Sequence, residues 1–167
     1  MKRLTRRLPL RIGPRKAGIS RHAPRLQKFM STFGDFNRNL IEDMRANKGK
    51  PTSGPFVGRD VLILTTKGAK SGETRVTPIV YSRDGDRYVI VASKGGAPTN
   101  PSWFHNLKAH PHVTVEVDGE KFAAHARVVD EDEYERLYLH HATRNPNFHD
   151  YRKRTTRKIP VVLLERV

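Results

Sequence analysis

The stretch VLILTTKGAKSGETR, residues 61–75, decides how the rest of the chain is read. Its first part, Val61–Thr66, is a short apolar and β-branched run that ends abruptly in turn residues, the pattern of a buried strand. The loop that follows carries Gly68, Gly72 and Ser71 among the cations Lys67, Lys70 and Arg75. Two readings fit it. Glycines admit a close backbone approach, a serine adds a hydroxyl donor and Lys and Arg add charge, which together make an anion site. The simpler reading is a polar hairpin turn on a basic protein. The spacing is not that of the Walker loop, which needs two glycines five residues apart followed by Lys and Ser or Thr.

Further strands are predicted on both sides of a set of turns. Arg75–Arg83, Arg87–Ser93, His112–Val117, Lys121–Val129 and Val161–Glu165 are apolar or alternating, and Asp84-Gly85-Asp86 and Asp118-Gly119-Glu120 are hairpin signals. Pro101–His110 is expected to be a short helix with its proline near the start. Asp130–Thr143 is expected to be an amphipathic helix with acids in its first turn, where the helix dipole favours them. Short antiparallel strands with helices inserted between them predict an α+β fold, a small β-barrel with peripheral helices.

Upstream, Lys48–Gly58 reads as a linker rich in Pro, Gly and Ser. Before it, Leu26, Phe29, Met30, Phe33, Leu40, Ile41 and Met44 recur at the steps of one helix face. Gly34 and Asp35 are expected to break this into two helices, with Asp35 capping the second. Such a helix either covers one side of the barrel or lies, basic and rich in Phe and Met, on an anionic membrane. The two are compatible if it moves. Residues 1–22 read as an irregular basic arm, 23–49 as the helical region and 58–167 as the barrel, all of one globular domain.

The charge balance narrows the partners. The 167 residues carry a formal net charge of +15 and no cysteine. Thiolate catalysis, disulfides and cysteine-held metals are therefore excluded. From Lys2 to Lys28 there are ten cations and no acid, so much of the excess lies ahead of the first strand. Such a charge calls for polyanions: nucleic acid, an anionic membrane or a multiply charged small molecule. Nucleic acid is disfavoured, because Met1–His22 has no aromatic residue but His22 to stack on bases. No apolar run approaches the ~20 residues that span a bilayer, and the first residues lack a signal-peptide core. A cytoplasmic location is expected, with the arm able to hold the protein against the inner face of the membrane.

A second loop, Ala92-Ser93-Lys94-Gly95-Gly96-Ala97-Pro98, repeats the theme of glycine, hydroxyl and cation directly after a strand. It leads into Asn100-Pro101-Ser102-Trp103-Phe104-His105-Asn106. Two basic loops and a helix start can jointly clasp a phosphate or several carboxylates. Trp103, the only tryptophan, either supports a ring system or packs in the core.

Three segments, TTKGAKSGETRVTPIVY, VASKGGAPTNPSWFHNLKAHPHVTVEVDG and DYRKRTTRKIPVVLLE, occur in this order. Together they resemble the deazaflavin-dependent nitroreductase family, split β-barrel reductases that use reduced coenzyme F420. The likeness runs from about Gly58 to Glu165. It implies an FMN-binding split-barrel-like fold and hydride transfer from the deazaflavin to a quinone, a nitro compound or an activated alkene. It further implies that Lys67, Lys70, Ser71, Arg75, Ala92, Ser93, Lys94, Gly95 and Gly96 bind the coenzyme's phosphate and glutamate tail. Trp103 and Asn106 match a W-x-x-N pattern close to the cofactor, and Thr77 and Pro78 match the strand lining its ring. Asn145, Phe148 and Tyr151 fall where quinone- and nitroimidazole-reducing members often carry three tyrosines, which makes them the expected substrate contacts. Tyr151 alone keeps the tyrosine and is the expected proton donor. The departure at the other two leaves the acceptor open and speaks against nitroimidazole reduction.

Alternatives are an FMN-binding split-barrel oxidoreductase and a basic, non-enzymatic module for nucleic acid or anionic lipid. His110, His112, His140 and His141 lack a third ligand at metal spacing, so no metal is expected. Neither a G-x-S-x-G elbow nor a G-x-G-x-x-G fingerprint occurs. An exposed barrel edge is the route to a homodimer.

Overall fold

The structure, a computed structural model, describes residues 23–167, with side chains from residue 34 onward. The basic arm, and the side chains of Leu26, Phe29, Met30 and Phe33, lie outside the described residues.

Alternation along the strands sets what covers each face. In the first strand, β1 (Val61–Lys67), Leu62 and Leu64 join the interior core while Val61 and Ile63 point the other way. Leu40, Ile41 and Met44 of α1 (Ala23–Ala46) cover that outer pair. The same holds for β4 (Arg87–Val91), where Tyr88 and Ile90 face inward. Its Val89 and Val91 lie beneath Tyr134, Leu137 and Tyr138 of α3 (Glu131–Arg144). β7 (Val161–Arg166) follows suit, with Val162 and Leu164 inside and Val161 and Leu163 outside. Strands buried on both faces read as unbroken apolar runs, which is why the sequence marks them so clearly.

The remaining elements are β2 (Thr74–Val80), β3 (Ser82–Asp84), α2 (Ser102–Ala109), β5 (His112–Val117), β6 (Glu120–Val128) and α4 (Asn147–Lys153). One sheet runs in the order β2-β1-β5-β6-β7-β4-β3, with every neighbouring pair antiparallel. Its two edge strands, β2 and β3, are separated in the chain by Tyr81 alone. The sheet must therefore curl until its edges meet there, giving a half-barrel of the split-barrel type, filled by Trp103, Phe104 and Leu107 of α2.

This corrects the single strand expected over Arg75–Arg83. A strand cannot pair flat with β1 at one edge and β4 at the other, so the chain bends at Tyr81, whose amide donates to Asp60 O at 3.0 Å. The break expected at Gly34 and Asp35 does not occur either, since α1 runs through it. A helical glycine costs only about 1 kcal/mol, and the turns beyond it are anchored. Asp35 is no cap but pairs with Arg38 one turn on, at 3.3 Å. Near the helix end, Arg45 grips Glu116 of β5 with two hydrogen bonds of 2.9 and 2.8 Å. The described half of α1 is thus a cover of the barrel.

α2 begins after Pro101, and α3 carries Glu131, Asp132 and Glu133 in its first turn, both as the sequence predicts. Opposite β3, His141 of α3 is fully buried and its Nδ1 lies 2.9 Å from Ser82 Oγ. Burial pushes its pKa down to about 4. Its Nε2 has no hydrogen-bond partner, and the ring stands edge-on to Phe148 at 4.4 Å between centroids.

Candidate functional site

β1, β4 and β6 alternate with strands of opposite direction, so the loops after β1 and β4 leave the sheet at the same end. The first loop closes on itself: Gly68 N donates to Glu73 O at 2.7 Å and Gly72 N to Gly68 O at 3.0 Å. Gly72 sits at φ +70°, which a glycine adopts without strain. Ser71 Oγ accepts from Glu73 N at 3.2 Å, leaving its hydrogen free to donate.

α2 docks beside this loop through one residue. Asn106, nearly buried, accepts from Ala69 N at 3.0 Å and donates to Thr66 Oγ1 at 3.2 Å. Both ends of its amide are engaged within the protein. Between loop, β2 and α2 opens a cleft of about 1030 Å³, lined among others by Lys70, Ser71, Arg75, Thr77, Trp103 and Asn106. Trp103 is 9% exposed, a member of the interior core and a wall of the cleft. Arg75 pairs with Glu73 at 2.8 Å on the exposed lip.

Among the lining residues that sequence reasoning passed over are two with titratable side chains, His105 and Lys108. They lie on the exposed side of α2 beside Phe104, with Lys108 Nζ 5.6 Å from the Phe104 ring centroid, and the i, i+3 spacing was the signal available.

Lys67, Pro78 and the Ala92–Gly96 loop do not line this cleft. Pro78 sits on the alternate face of β2 from Thr77. In the second loop Lys94, Gly95 and Gly96 all have positive φ, at 47°, 64° and 82°. The loop packs on α4: a Cβ on Gly96 would lie 2.9 Å from both Tyr151 O and Arg154 Cβ. Ser93 is buried and Lys94 Nζ reaches Thr99 Oγ1 at 3.2 Å.

The third set lies together but also outside the cleft. Asn145 ends α3 with its side-chain amide on His141 O at 3.2 Å, and Phe148 is buried with its ring 5.1 Å from that of Tyr151. Tyr151 is half-buried, and its hydroxyl oxygen accepts from Asn147 Nδ2 at 2.7 Å. Asn147 in turn accepts from Arg59 at 3.0 Å. His140 and His141 bond separate groups, Arg83 O and Ser82 Oγ. Among the described residues no group of three His, Asp or Glu side chains is placed to share a metal ion. No described helix is long and apolar enough to cross a membrane.

The sequence model of the F420H(2)-dependent quinone reductase family matches residues 36–166, the whole half-barrel and the later part of α1. This chain belongs to that family. It is 46% identical over 108 residues to an F420H(2)-dependent quinone reductase of Mycobacterium tuberculosis, covering 63% of this chain and 72% of the relative. Among solved structures it resembles an F420-H2 dependent reductase at 36% identity and a TM-score of 0.60, over 64% of this chain and 95% of the other. A second, described as a domain-swapped dimer, is 29% identical with a TM-score of 0.62 over 84% and 99%.

Family membership makes the protein an oxidoreductase dependent on coenzyme F420, and the FMN alternative gives way to it. The cleft fits such a group. An indole wall suits a flat ring, and Lys70, Arg75 and Lys108 supply cations for a phosphodiester and carboxylates.

Proposed function

We propose that this protein reduces a quinone, with coenzyme F420 held in the cleft between the β1–β2 loop and α2. One observation carries the assignment: Trp103 and the cations Lys70, Arg75 and Lys108 converge on a single cleft of about 1030 Å³. When bound, the reduced coenzyme supplies a hydride from its deazaflavin ring. The chain's own residues bind and orient. Lys70, Arg75 and Lys108 neutralise the anionic tail, Ser71 donates its free hydroxyl hydrogen, and Trp103 walls the ring and keeps water off it. Thr77 lines the ring side, while Asn106 acts indirectly by fixing the loop that carries Lys70. Lys94 and the left-handed backbone of Lys94–Gly96 offer further anion contacts at the same end of the barrel.

Reduction of a quinone to its quinol takes one hydride and one proton. Because the Tyr151 oxygen accepts from Asn147, its own hydrogen stays available for the acceptor oxygen. Asn145 and Phe148 shape the ground beneath it.

Titration of the purified protein with oxidised coenzyme F420, followed by fluorescence with FMN in parallel, tests the reading. Saturable binding of the deazaflavin that Lys70→Ala weakens is expected. Preference for FMN, or binding of neither, would sink it. Acceptor choice is then read from turnover with quinones against nitroimidazoles, where only quinones should be reduced.

The cation-rich residues Lys2–Lys28 add a location. Each basic residue near an anionic leaflet contributes on the order of 1 kcal/mol, enough in sum to hold the enzyme close to membrane quinones. Full-length protein should sediment with anionic vesicles at low salt, and its failure to do so would remove this proposal. A homodimer, as in the domain-swapped relative, predicts twice the monomer mass in light scattering.

A further inference from the structure

One guanidinium outside the cleft holds the second loop on both sides of its left-handed residues. Arg157, in the segment after α4, donates from Nη2 to Ala92 O at 3.1 Å and to Ser93 O at 3.0 Å. Its Nε donates to Ala97 O at 2.9 Å and its Nη1 to Asn100 Oδ1 at 2.6 Å. These acceptors span the entry, the middle and the exit of the loop. All four are neutral, so the contacts form no ion pair that a generic surface arginine would seek, and the fork is held in place by geometry.

The loop needs such a hold. Three successive residues, Lys94, Gly95 and Gly96, are left-handed, and one of them has a side chain. A non-glycine residue keeps such a conformation only where its surroundings over-determine it. The internal bonds of this turn are few, Gly96 N to Ser93 O at 2.9 Å and Ala97 N to Lys94 O at 3.2 Å. Asn100 also precedes Pro101, the residue just before α2, so its clamp fixes the start of the helix that carries Trp103 and Asn106. Asn106 in turn holds Ala69 of the first loop.

We infer that Arg157 is a positioning residue for the coenzyme site, clamping the Ala92–Asn100 loop and, through α2 and Asn106, setting the β1–β2 loop. It acts without lining the cleft itself. The inference rests on the assignment of coenzyme F420 to these loops only for its effect on binding. Its effect on loop order stands without a ligand.

The test uses Arg157→Lys, which keeps charge but loses the fork, and Arg157→Ala, with and without added guanidinium ion. Two readouts are taken on the full chain: the affinity for oxidised coenzyme F420, and amide hydrogen exchange without ligand. The expected result is coenzyme binding weakened on the order of 10²-fold in both variants, as displaced positioning groups cause. Free guanidinium should partly restore Arg157→Ala. Exchange should quicken at the Gly96 and Ala97 amides while β1 and β7 keep wild-type protection. Wild-type binding and exchange in Arg157→Lys would overturn the inference, as would exchange that quickens evenly over the whole barrel. If Arg157→Ala fails to fold, Arg157→Lys carries the test alone. A wild-type protein that binds no coenzyme, with exchange changes confined to the loop in the variants, would refute the coenzyme assignment and leave the clamp standing.

Discussion

Asn106 shows how a residue can matter to a ligand by being wholly occupied with its own protein. Both hydrogen bonds of its amide are internal, each contributing about 1 kcal/mol net. Asn106→Ala also leaves the buried Thr66 hydroxyl without its partner. The expected outcome is coenzyme affinity lowered at least about tenfold, with a modest fall in melting temperature, measured by fluorescence titration and thermal denaturation. Among the cations, Lys70 and Arg75 line the cleft and Lys67 does not. Lys70→Ala and Arg75→Ala should weaken binding, while Lys67→Ala should leave it within about twofold, as for a screened surface charge. Lys70, Ser71 and Arg75 were legible because they are neighbours in sequence. His105, Lys108 and Arg157 were not, since their relevance depends on which way a helix or a tail is docked.

At the scale of elements, α3 is pinned to β3 by a histidine that resists charging. Its pKa of about 4 lies below the unfolded value of 6.5, so the unfolded chain takes up a proton that the native one refuses. Stability is therefore full above pH 6.5 and declines as pH falls toward 4, by on the order of 3 kcal/mol from this group. Denaturant unfolding at several pH values should show that window flattened in His141→Gln relative to wild type. The contact of the second loop with α4 makes its own prediction. Gly96 combines φ +82° with no room for a Cβ, because Tyr151 O and Arg154 Cβ would both be 2.9 Å away. Gly96→Ala should cost about 1–3 kcal/mol and loosen α4, whereas Gly95→Ala, whose Cβ meets nothing within 4 Å, should cost only its backbone strain. Circular dichroism melts separate the two. Two elements were read wrongly from sequence: the turn signals at Gly34 and Asp35 do not interrupt α1, and the strand expected over Arg75–Arg83 is split at Tyr81 by the curl of the sheet.

For the molecule as a whole, a charge of +15 and a cleft rimmed with cations make binding of a polyanionic coenzyme sensitive to salt. Raising ionic strength from about 0.05 to about 0.5 M shortens the Debye length severalfold. Coenzyme affinity should fall with it, while the melting temperature, governed by apolar burial, should move little. Coenzyme titrations over a salt series, with melts alongside, measure both.

The sequence by itself determined the strands other than the split of β2 from β3, a short helix after Pro101, the basic loops at strand ends and the family likeness. These rest on periodicity and on runs of adjacent residues, which act over a few bonds. Only the tertiary structure decided that β2 and β3 are opposite edges meeting at Tyr81. It alone set the first loop and α2, not both basic loops, as the walls of one cleft. It also put Arg157 across the second loop, 57 to 65 residues away in the chain. Closure of a curled sheet is a property of all its strands at once, and no local pattern encodes it.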